Sequence, residues 1–126
     1  MAYHEQPDRL TPDQVTAFLA LSTRMDLSPG PGGSRMTPVD VSATFPGSRS
    51  MFVALYPSAQ LVAHRDPPIT GTRVHYPLQV NDGCWVFHEG DWRQLEIGHG
   101  YAMDPTGLHG AVNWGSELRL HLMVDR

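Results

Sequence analysis

The residues with the clearest chemical potential are His64 and Asp66, which are separated by one residue at the end of an apolar run. Alternate residues of an extended strand share a face, so both side chains can point at one ion. A second histidine, His109, lies far downstream. Two imidazoles and one carboxylate can occupy one face of an octahedral metal ion and leave the opposite face open, which is the ligand set of non-haem Fe(II) oxygenases. The pattern therefore predicts an open metal site formed by His64, Asp66 and His109.

Arg119 is the least expected residue of the last predicted strand, because it stands among apolar residues. One face of that strand carries Leu118, Leu120, Leu122 and Val124, and the other carries Arg119, His121 and Met123. A buried guanidinium requires a partner anion, and it binds a carboxylate well through two hydrogen bonds. We predict that Arg119 faces a cavity and holds the far carboxylate of a 2-oxoglutarate co-substrate. An edge-strand arginine that reaches solvent is the alternative interpretation.

The strand that begins at Arg73 has the same pattern. Its alternation places Arg73, His75 and Pro77 on one face and Val74, Tyr76 and Leu78 on the other. Two strands that each carry an arginine and a histidine on one face are hard to explain by surface solvation alone. We therefore expect both faces to line the same cavity.

Each of these features also has a plainer interpretation. A His-x-Asp pair by itself is more often a surface histidine beside a turn-capping aspartate, and His99, between two glycines, is the main alternative to His109 as third ligand. The remaining histidines have no ligand-like context, although the last can face the cavity: His4, His88 and His121. Cys84 is expected to be a small buried hydrophobic residue. The tryptophans are expected to pack in the core or at its rim: Trp85, Trp92 and Trp114.

Composition limits the classes of function. The 126 residues suit one domain, 1–126, with 40% hydrophobic and 17% charged residues. The net charge of −4 and the scattered basic residues argue against nucleic acid or an anionic membrane as a partner. One cysteine excludes an internal disulfide. The polar start from Met1 to Arg9 does not resemble a secretory signal, and no stretch reaches the length of a membrane span, so we expect a cytoplasmic location.

One helix is predicted near the N-terminus, within residues 10–27. Thr11 is a good N-cap, Pro12 suits the first helical position, and Gln14 completes a capping box. Val15 and Phe18 begin an apolar stripe at helical spacing that should pack on a sheet. The glycines and prolines of residues 28–34 then predict a loop.

Short strands are predicted to follow, forming the core of residues 39–126. The candidate strands are residues 50–56, 60–64, 73–80, 84–87, 91–97, 101–104 and 117–124. Turn-forming residues separate them at regular intervals, which is typical of a sandwich, jelly roll or barrel. The predicted fold is therefore mainly β, a jelly roll with one N-terminal helix.

The stretch 64–125 resembles the aspartyl/asparaginyl β-hydroxylase family of Fe(II)/2-oxoglutarate dioxygenases. The matching pieces are 64–66, Arg73 to Leu78, Asn81 to Cys84, Gly98 ahead of Met103-Asp104, His109 followed by Asn113, and Arg119 leading to Leu122-Met123-Val124-Asp125. The resemblance implies a double-stranded β-helix with Fe(II) bound by His64, Asp66 and His109. It also implies that Arg119 pairs with the distal carboxylate of 2-oxoglutarate. Arg73, with His75, would contact the co-substrate or substrate near the metal.

The activity that the resemblance implies is hydroxylation of a C–H bond by O2, coupled to oxidative decarboxylation of 2-oxoglutarate to succinate. We expect the substrate to be an amino acid, an amino-acid derivative or a peptide that carries a carboxylate. Val53 departs from the family, near where a serine helps to hold the co-substrate. Two alternatives stay open: a metal-dependent cupin that works without 2-oxoglutarate, and a non-catalytic jelly roll that binds a small ligand.

Overall fold

The computed structural model describes residues 3–126, which form ten β-strands, one α-helix and a short 3-10 turn at Pro31–Gly33. The elements in chain order are β1 Tyr3–Arg9, α1 Pro12–Ser22, β2 Ser34–Pro38, β3 Arg49–Leu55, β4 Gln60–His64, β5 Arg73–Gln79, β6 Cys84–His88, β7 Asp91–Arg93, β8 His99–Met103, β9 His109–Asn113 and β10 Arg119–Asp125. No helix among these residues is long and apolar enough to cross a membrane.

The strands form two antiparallel sheets that enclose a cavity. The larger sheet has the order β1-β8-β5-β10-β3-β2, and the smaller has the order β4-β9-β6-β7. Neighbours in each sheet are mostly distant in sequence, as expected for a double-stranded β-helix and not for a meander. The predicted jelly-roll fold is confirmed.

Helix α1 covers the outer face of the larger sheet. The capping box is present: Gln14 N donates to Thr11 Oγ1 at 3.1 Å, and Thr11 N donates to Gln14 Oε1 at 2.8 Å. Phe18 packs in one buried cluster with residues of β5 and β10, namely Val74, Tyr76, Leu78, Leu120, Leu122 and Val124. Because that face of the sheet is sealed by the helix, the alternate residues of β5 and β10 must face the interior between the sheets.

Three strands were not predicted from the sequence. Two of them, β1 and β2, lie outside the predicted core of residues 39–126 and extend the jelly roll. Strands β1 and β2 are both edges of the larger sheet. Both are mostly polar, and each contains a proline, Pro7 or Pro38. This composition is usual for an edge strand, but it gives little indication of a strand in the sequence. Strand β9 was hidden by Gly110, whose missing side chain allows the backbone of Leu61 to approach: a Cβ there would lie 2.6 Å from that carbonyl.

Several predicted bounds also change. The helix ends at Ser22, earlier than the predicted 27, although Met25 and Leu27 still pack against the core. The predicted strand 91–97 is confined to Asp91–Arg93. Strand β8 begins at His99, two residues before the predicted start at 101.

Candidate metal centre

His64 and His109 lie directly opposite each other on the antiparallel strands β4 and β9. Their imidazole centroids are 4.4 Å apart. Asp66 follows β4, and its Oδ1 lies 3.5 Å from His64 Nε2 while its Oδ2 lies 3.2 Å from His109 Nε2. The candidate ligand atoms of the three residues all fall within 4.8 Å of one another. The structure therefore brings the predicted His64, Asp66 and His109 together at one point.

Backbone carbonyls fix the orientation of both imidazoles. His64 Nδ1 lies 2.7 Å from Val62 O, and His109 Nδ1 lies 2.7 Å from Gly107 O. A carbonyl oxygen can only accept, so each Nδ1 carries the proton and donates. Each Nε2 then keeps its lone pair and faces Asp66, which is the arrangement that metal-binding histidines use. Two Nε2 atoms and a carboxylate fit Fe(II) in the two-histidine, one-carboxylate geometry.

Asp66 is positioned from two sides. Its backbone N donates to Pro105 O at 2.8 Å, which ties the chain after β4 to the turn before β9. Its Oδ2 lies 3.5 Å from Arg73 Nη1. Arg73 also donates to Asp125 through Nε at 2.8 Å and Nη2 at 2.9 Å. These contacts with Asp125 first, and with Asp66 as well, raise the pKa of Arg73 against the opposing effect of burial.

Arg65 and Glu89, on the outside of the site, connect the segment that carries His64 and Asp66 to the segment that carries His109. We call this pair of residues the bracket. Arg65, which lies between the ligands His64 and Asp66, donates from Nη1 to Thr106 O at 3.1 Å and lies 3.4 Å from Glu89 Oε1. The same Glu89 oxygen accepts from Leu108 N at 3.1 Å, next to His109. Glu89 has φ of 47°, a left-handed conformation that is unfavourable for a residue with a side chain. Strain of this kind persists where surrounding contacts hold it, commonly at functional sites.

A third histidine, His88, lies opposite His109 on β6 but does not join the ligand group. It is buried, its Nε2 lies 2.7 Å from Asp104 O, and its ring stacks on His109 with centroids 6.1 Å apart. Its position therefore supports the His109 ring from behind.

The candidate ligands open into a cavity of about 100 Å³ between the sheets. Its lining includes five of the six residues predicted to face it, Arg73, His75, Arg119, His121 and Met123, but not Pro77. Arg119 is only 3% exposed, and its Nε is buried with no hydrogen-bond partner among residues 3–126. Burial lowers the pKa of Arg119 to about 10, so the group remains a cation at neutral pH. The cavity thus contains a buried positive charge with an unsatisfied donor.

His75 and His121 add no further charge to the cavity. Their Nδ1 atoms lie 3.4 Å apart. Burial first, and the Arg119 charge second, lower the pKa of His75 to about 3 and bring the pKa of His121 well below its usual value of 6.5. Both imidazoles are therefore neutral at physiological pH, and they leave Arg119 free to attract an anion.

Other candidates from the sequence lie elsewhere. His99 sits between two carboxylates, with Nδ1 3.4 Å from Glu5 and Nε2 3.2 Å from Glu96, outside the ligand group. Cys84 is buried, as predicted. None of the three tryptophans lines the cavity; Trp92 and Trp114 are largely exposed, and Trp92 packs on Phe87 on the outer face of the smaller sheet.

Sequence reasoning assigned no role to three residues of the site, Asp125, Tyr3 and Glu89. Asp125 holds Arg73, and it shares the face of Arg119 on β10, so the alternation could have revealed it. Tyr3 lines the cavity from β1. Burial raises the pKa of its phenol to about 12, so it stays protonated. No sequence signal places Tyr3 there, because β1 was not recognised as a strand.

Family comparison gives the same class of protein as the site. The model of the Aspartyl/Asparaginyl beta-hydroxylase family matches residues 36–126, well over half of the chain. The chain therefore belongs to this family, and the resemblance noted in the sequence is confirmed. Membership of a hydroxylase family supports a metal-dependent enzyme of the oxygenase type. A sequence search of curated proteins finds no match.

Solved structures show the same fold at low sequence identity. A prolyl-4-hydroxylase from Pseudomonas putida is similar with a TM-score of 0.70 and 16% identity, covering 98% of this chain and 91% of that one. KdgF from Halomonas sp. has a TM-score of 0.58 and 21% identity over 82% of this chain and 89% of that one. A protein from Thermus thermophilus, TT1209, has a TM-score of 0.60 and 18% identity over 82% of this chain and 92% of that one. At these identities the likeness concerns the fold.

Proposed function

We propose that the protein is an Fe(II)- and 2-oxoglutarate-dependent dioxygenase that hydroxylates a C–H bond of an amino acid, an amino-acid derivative or a peptide. The observation that carries the proposal is the pairing of an open His64–Asp66–His109 site with a buried, unsatisfied cation, Arg119, in one cavity. A metal site alone would suit many cupin-type reactions. The cation gives this site a place for a second carboxylate.

His64, Asp66 and His109 would hold the iron. Two histidines and one carboxylate would take three coordination positions of the ion and would leave others for co-substrate and O2. When bound, iron supplies the oxidising chemistry: 2-oxoglutarate, O2 and R–H give succinate, carbon dioxide and R–OH, with one oxygen atom in each organic product. The carbonyl contacts to both Nδ1 atoms hold the two imidazoles with Nε2 toward Asp66 and would raise the basicity of those nitrogens toward the ion.

Arg119 would bind the distal carboxylate of 2-oxoglutarate. Burial makes an unpaired guanidinium unfavourable, so a bound carboxylate relieves a cost that is already present in the free protein. The neutral imidazoles of His75 and His121 flank the cation without competing for it as anions would. The protonated phenol of Tyr3 lines the same cavity and can donate one hydrogen bond to the carboxylate.

Apolar side chains of the cavity would exclude water around the co-substrate. They include Val53, Leu61, Val86 and Met103, contributed by both sheets. A dry surround strengthens the attraction between Arg119 and a carboxylate. Val53 lies near where the family resemblance implied a serine, so here the co-substrate would depend on Arg119 more than on a hydroxyl.

The proposal is tested by following succinate. Purified protein is incubated with Fe(II), 2-oxoglutarate and a panel of amino acids, acylated amino acids and short peptides, and succinate is quantified against His109→Ala. We expect succinate that requires both iron and 2-oxoglutarate and is lost in the variant. Tight metal binding without any succinate across the panel would contradict the proposal, and would favour a cupin-type enzyme that works without 2-oxoglutarate.

A further inference from the structure

The interior face of the larger sheet continues past the metal cavity into an open groove of about 650 Å³. The two spaces share Met36, Arg73 and Met123 in their linings. The register of the strands orders the groove in rows. His121 lies opposite Val53, Met123 lies opposite Met51, and Asp125 lies opposite Arg49 on neighbouring β10 and β3. Successive rows therefore lead from the buried Arg119 outward to the rim.

The middle of this face is a patch of methionines. Met36 on β2 is 51% exposed, and it lies opposite Val53 of β3. Met51 and Met123 form the next row, and Pro38 pairs with Met51 from the edge strand. Methionine side chains are flexible and polarisable, so they suit an apolar ligand of variable shape. The patch lies between the cavity and the rim.

The charged side chains at the rim of the groove differ in whether another side chain or the backbone binds them. Asp125 is occupied by the two hydrogen bonds from Arg73. Asp40, another carboxylate of the groove, accepts a hydrogen bond from Ser42 N at 2.9 Å within its own turn. Arg49 is exposed, and its side chain makes no hydrogen bond or ion pair among residues 3–126. The groove therefore offers one cation without a partner beside an apolar patch, together with the exposed carboxylate of Asp40, which is held in its own turn.

We propose that this groove binds the substrate to be oxidised, and that the substrate is a small amphipathic carboxylate. Its apolar body lies on Met36, Met51 and Met123, facing the metal cavity, and its carboxylate lies against Arg49. The carbon that is oxidised then belongs to the apolar body, away from the carboxylate. This inference rests on the proposed function, because it assigns the substrate of that reaction.

The hollow on the other side of Arg73 is a poorer site for such a ligand. It measures about 550 Å³ and shares Arg73 and Met103 with the metal cavity. Its lining carries three carboxylates, Glu89, Asp91 and Asp104, and one arginine, whereas the lining of the groove carries two carboxylates and two arginines. A carboxylate ligand would be repelled there. Charge thus favours the methionine groove.

The test compares each acid with its neutral amide. N-acetyl-L-leucine and N-acetyl-L-leucinamide, and hexanoate and hexanamide, are titrated by NMR into the protein loaded with Mn(II) and N-oxalylglycine, and into metal-free protein. Because Arg49 is exposed, we expect each acid to bind roughly fivefold more tightly than its amide at low salt, with the preference reduced at high salt. Arg49→Gln should abolish the preference. Arg24→Gln, an exposed arginine that follows α1, is the matched control and should keep it.

A second variant separates the apolar contact from the charge. Met51→Ala should weaken acid and amide alike and leave their ratio unchanged. Equal binding of acid and amide, a preference that survives Arg49→Gln, or no binding of either pair would overturn the groove assignment. If the acid preference depends on Arg49 but the protein makes no succinate, the proposed reaction is refuted and the groove assignment is supported. If succinate forms but the acid preference does not depend on Arg49, the groove assignment is refuted and the proposed reaction is supported.

Discussion

Arg73 joins Asp125 at the end of β10 to the candidate ligand Asp66. Its Nε and Nη2 donate to the two oxygens of Asp125 at 2.8 and 2.9 Å, and its Nη1 lies 3.5 Å from Asp66 Oδ2. Asp66 lies in the chain after β4 of the smaller sheet, whereas Arg73 and Asp125 belong to the larger one. The guanidinium therefore fixes a ligand of one sheet against the frame of the other.

The first prediction follows from that relationship. Asp125→Asn removes the charge that anchors Arg73, so Arg73 can turn and pair more closely with Asp66, which then competes with the metal. We expect metal affinity to fall about tenfold, as is usual for residues that support a ligand. Competition with a fluorescent chelator measures it. Asp82→Asn, an exposed carboxylate outside the site, is the control, and an equal loss in both variants would argue against a positioning role for Asp125.

The second prediction concerns Arg119. Arg119→Met removes an unpaired buried cation, so the unfolding temperature of the metal-free protein should stay the same or rise. Metal affinity should be kept, while 2-oxoglutarate affinity should fall by about 100-fold, since a buried charge partner is lost. Calorimetry gives the two affinities, and thermal unfolding gives the unfolding temperature. Leu120→Met, on the opposite face of β10, is the control; undiminished 2-oxoglutarate binding in Arg119→Met would remove the assigned role.

The third prediction concerns the strained residue of the bracket. Glu89→Gly relieves the left-handed backbone at φ of 47° but removes the acceptor for Leu108 N and the partner of Arg65. These effects oppose each other, so the free energy of unfolding should change by no more than about 1 kcal/mol. Metal affinity should nevertheless fall, because the two ligand-bearing segments lose their bridge. Affinity equal to that of the native chain would show that the bracket does not position the ligands.

A matched control exists for that variant. Ser58 also has a positive φ, 68°, in a turn that contributes nothing to the candidate ligands. Ser58→Gly should therefore relieve a similar strain and leave metal binding unchanged. Comparison of the two variants separates relief of the backbone from loss of the bracket.

The fourth prediction concerns pH. The pKa of His75 falls to about 3 in the folded protein, and the pKa of His121 also lies well below 6.5. Below about pH 6.5 the two imidazoles bind protons in the unfolded chain but remain neutral in the folded chain. The free energy of unfolding should therefore fall as the pH drops from about 6.5 toward 3. Urea unfolding of the metal-free protein measures this slope. His121→Gln should make it shallower below about pH 6.5; an unchanged slope would mean that folding does not lower the pKa of His121.

The sequence was most informative where alternation is strict. In β10 and β5, a period of two separates apolar residues under helix α1 from Arg119, His121, Arg73 and His75 in the cavity, and the structure agrees. This alternation is a local relationship, and a single strand contains all the information that it requires. The spacing of His64 and Asp66 suggested a shared face, but Asp66 lies beyond the end of β4, where its backbone N donates to the distant Pro105 O.

The rest depends on contacts between distant segments. Tyr3 reaches the cavity only because β1 pairs with β8, and the polar sequence of β1 does not predict that pairing. Glu89 matters because its turn meets Leu108 and Arg65, which lie far away in sequence. The direct pairing of His64 with His109 likewise depends on an irregularity between Leu61 and His64 in the register of β4 and β9. Such features require the folded chain.

The most direct test of the account is an anaerobic titration of the metal-free protein with Fe(II) and then 2-oxoglutarate, followed by visible absorption. We predict a weak charge-transfer band that needs both components, saturates at one iron per chain and is absent in His109→Ala. Iron binding without the band at saturating 2-oxoglutarate, or a band of equal strength in His109→Ala, would contradict the assignment of His64, Asp66 and His109 as the iron site of a 2-oxoglutarate-dependent oxygenase.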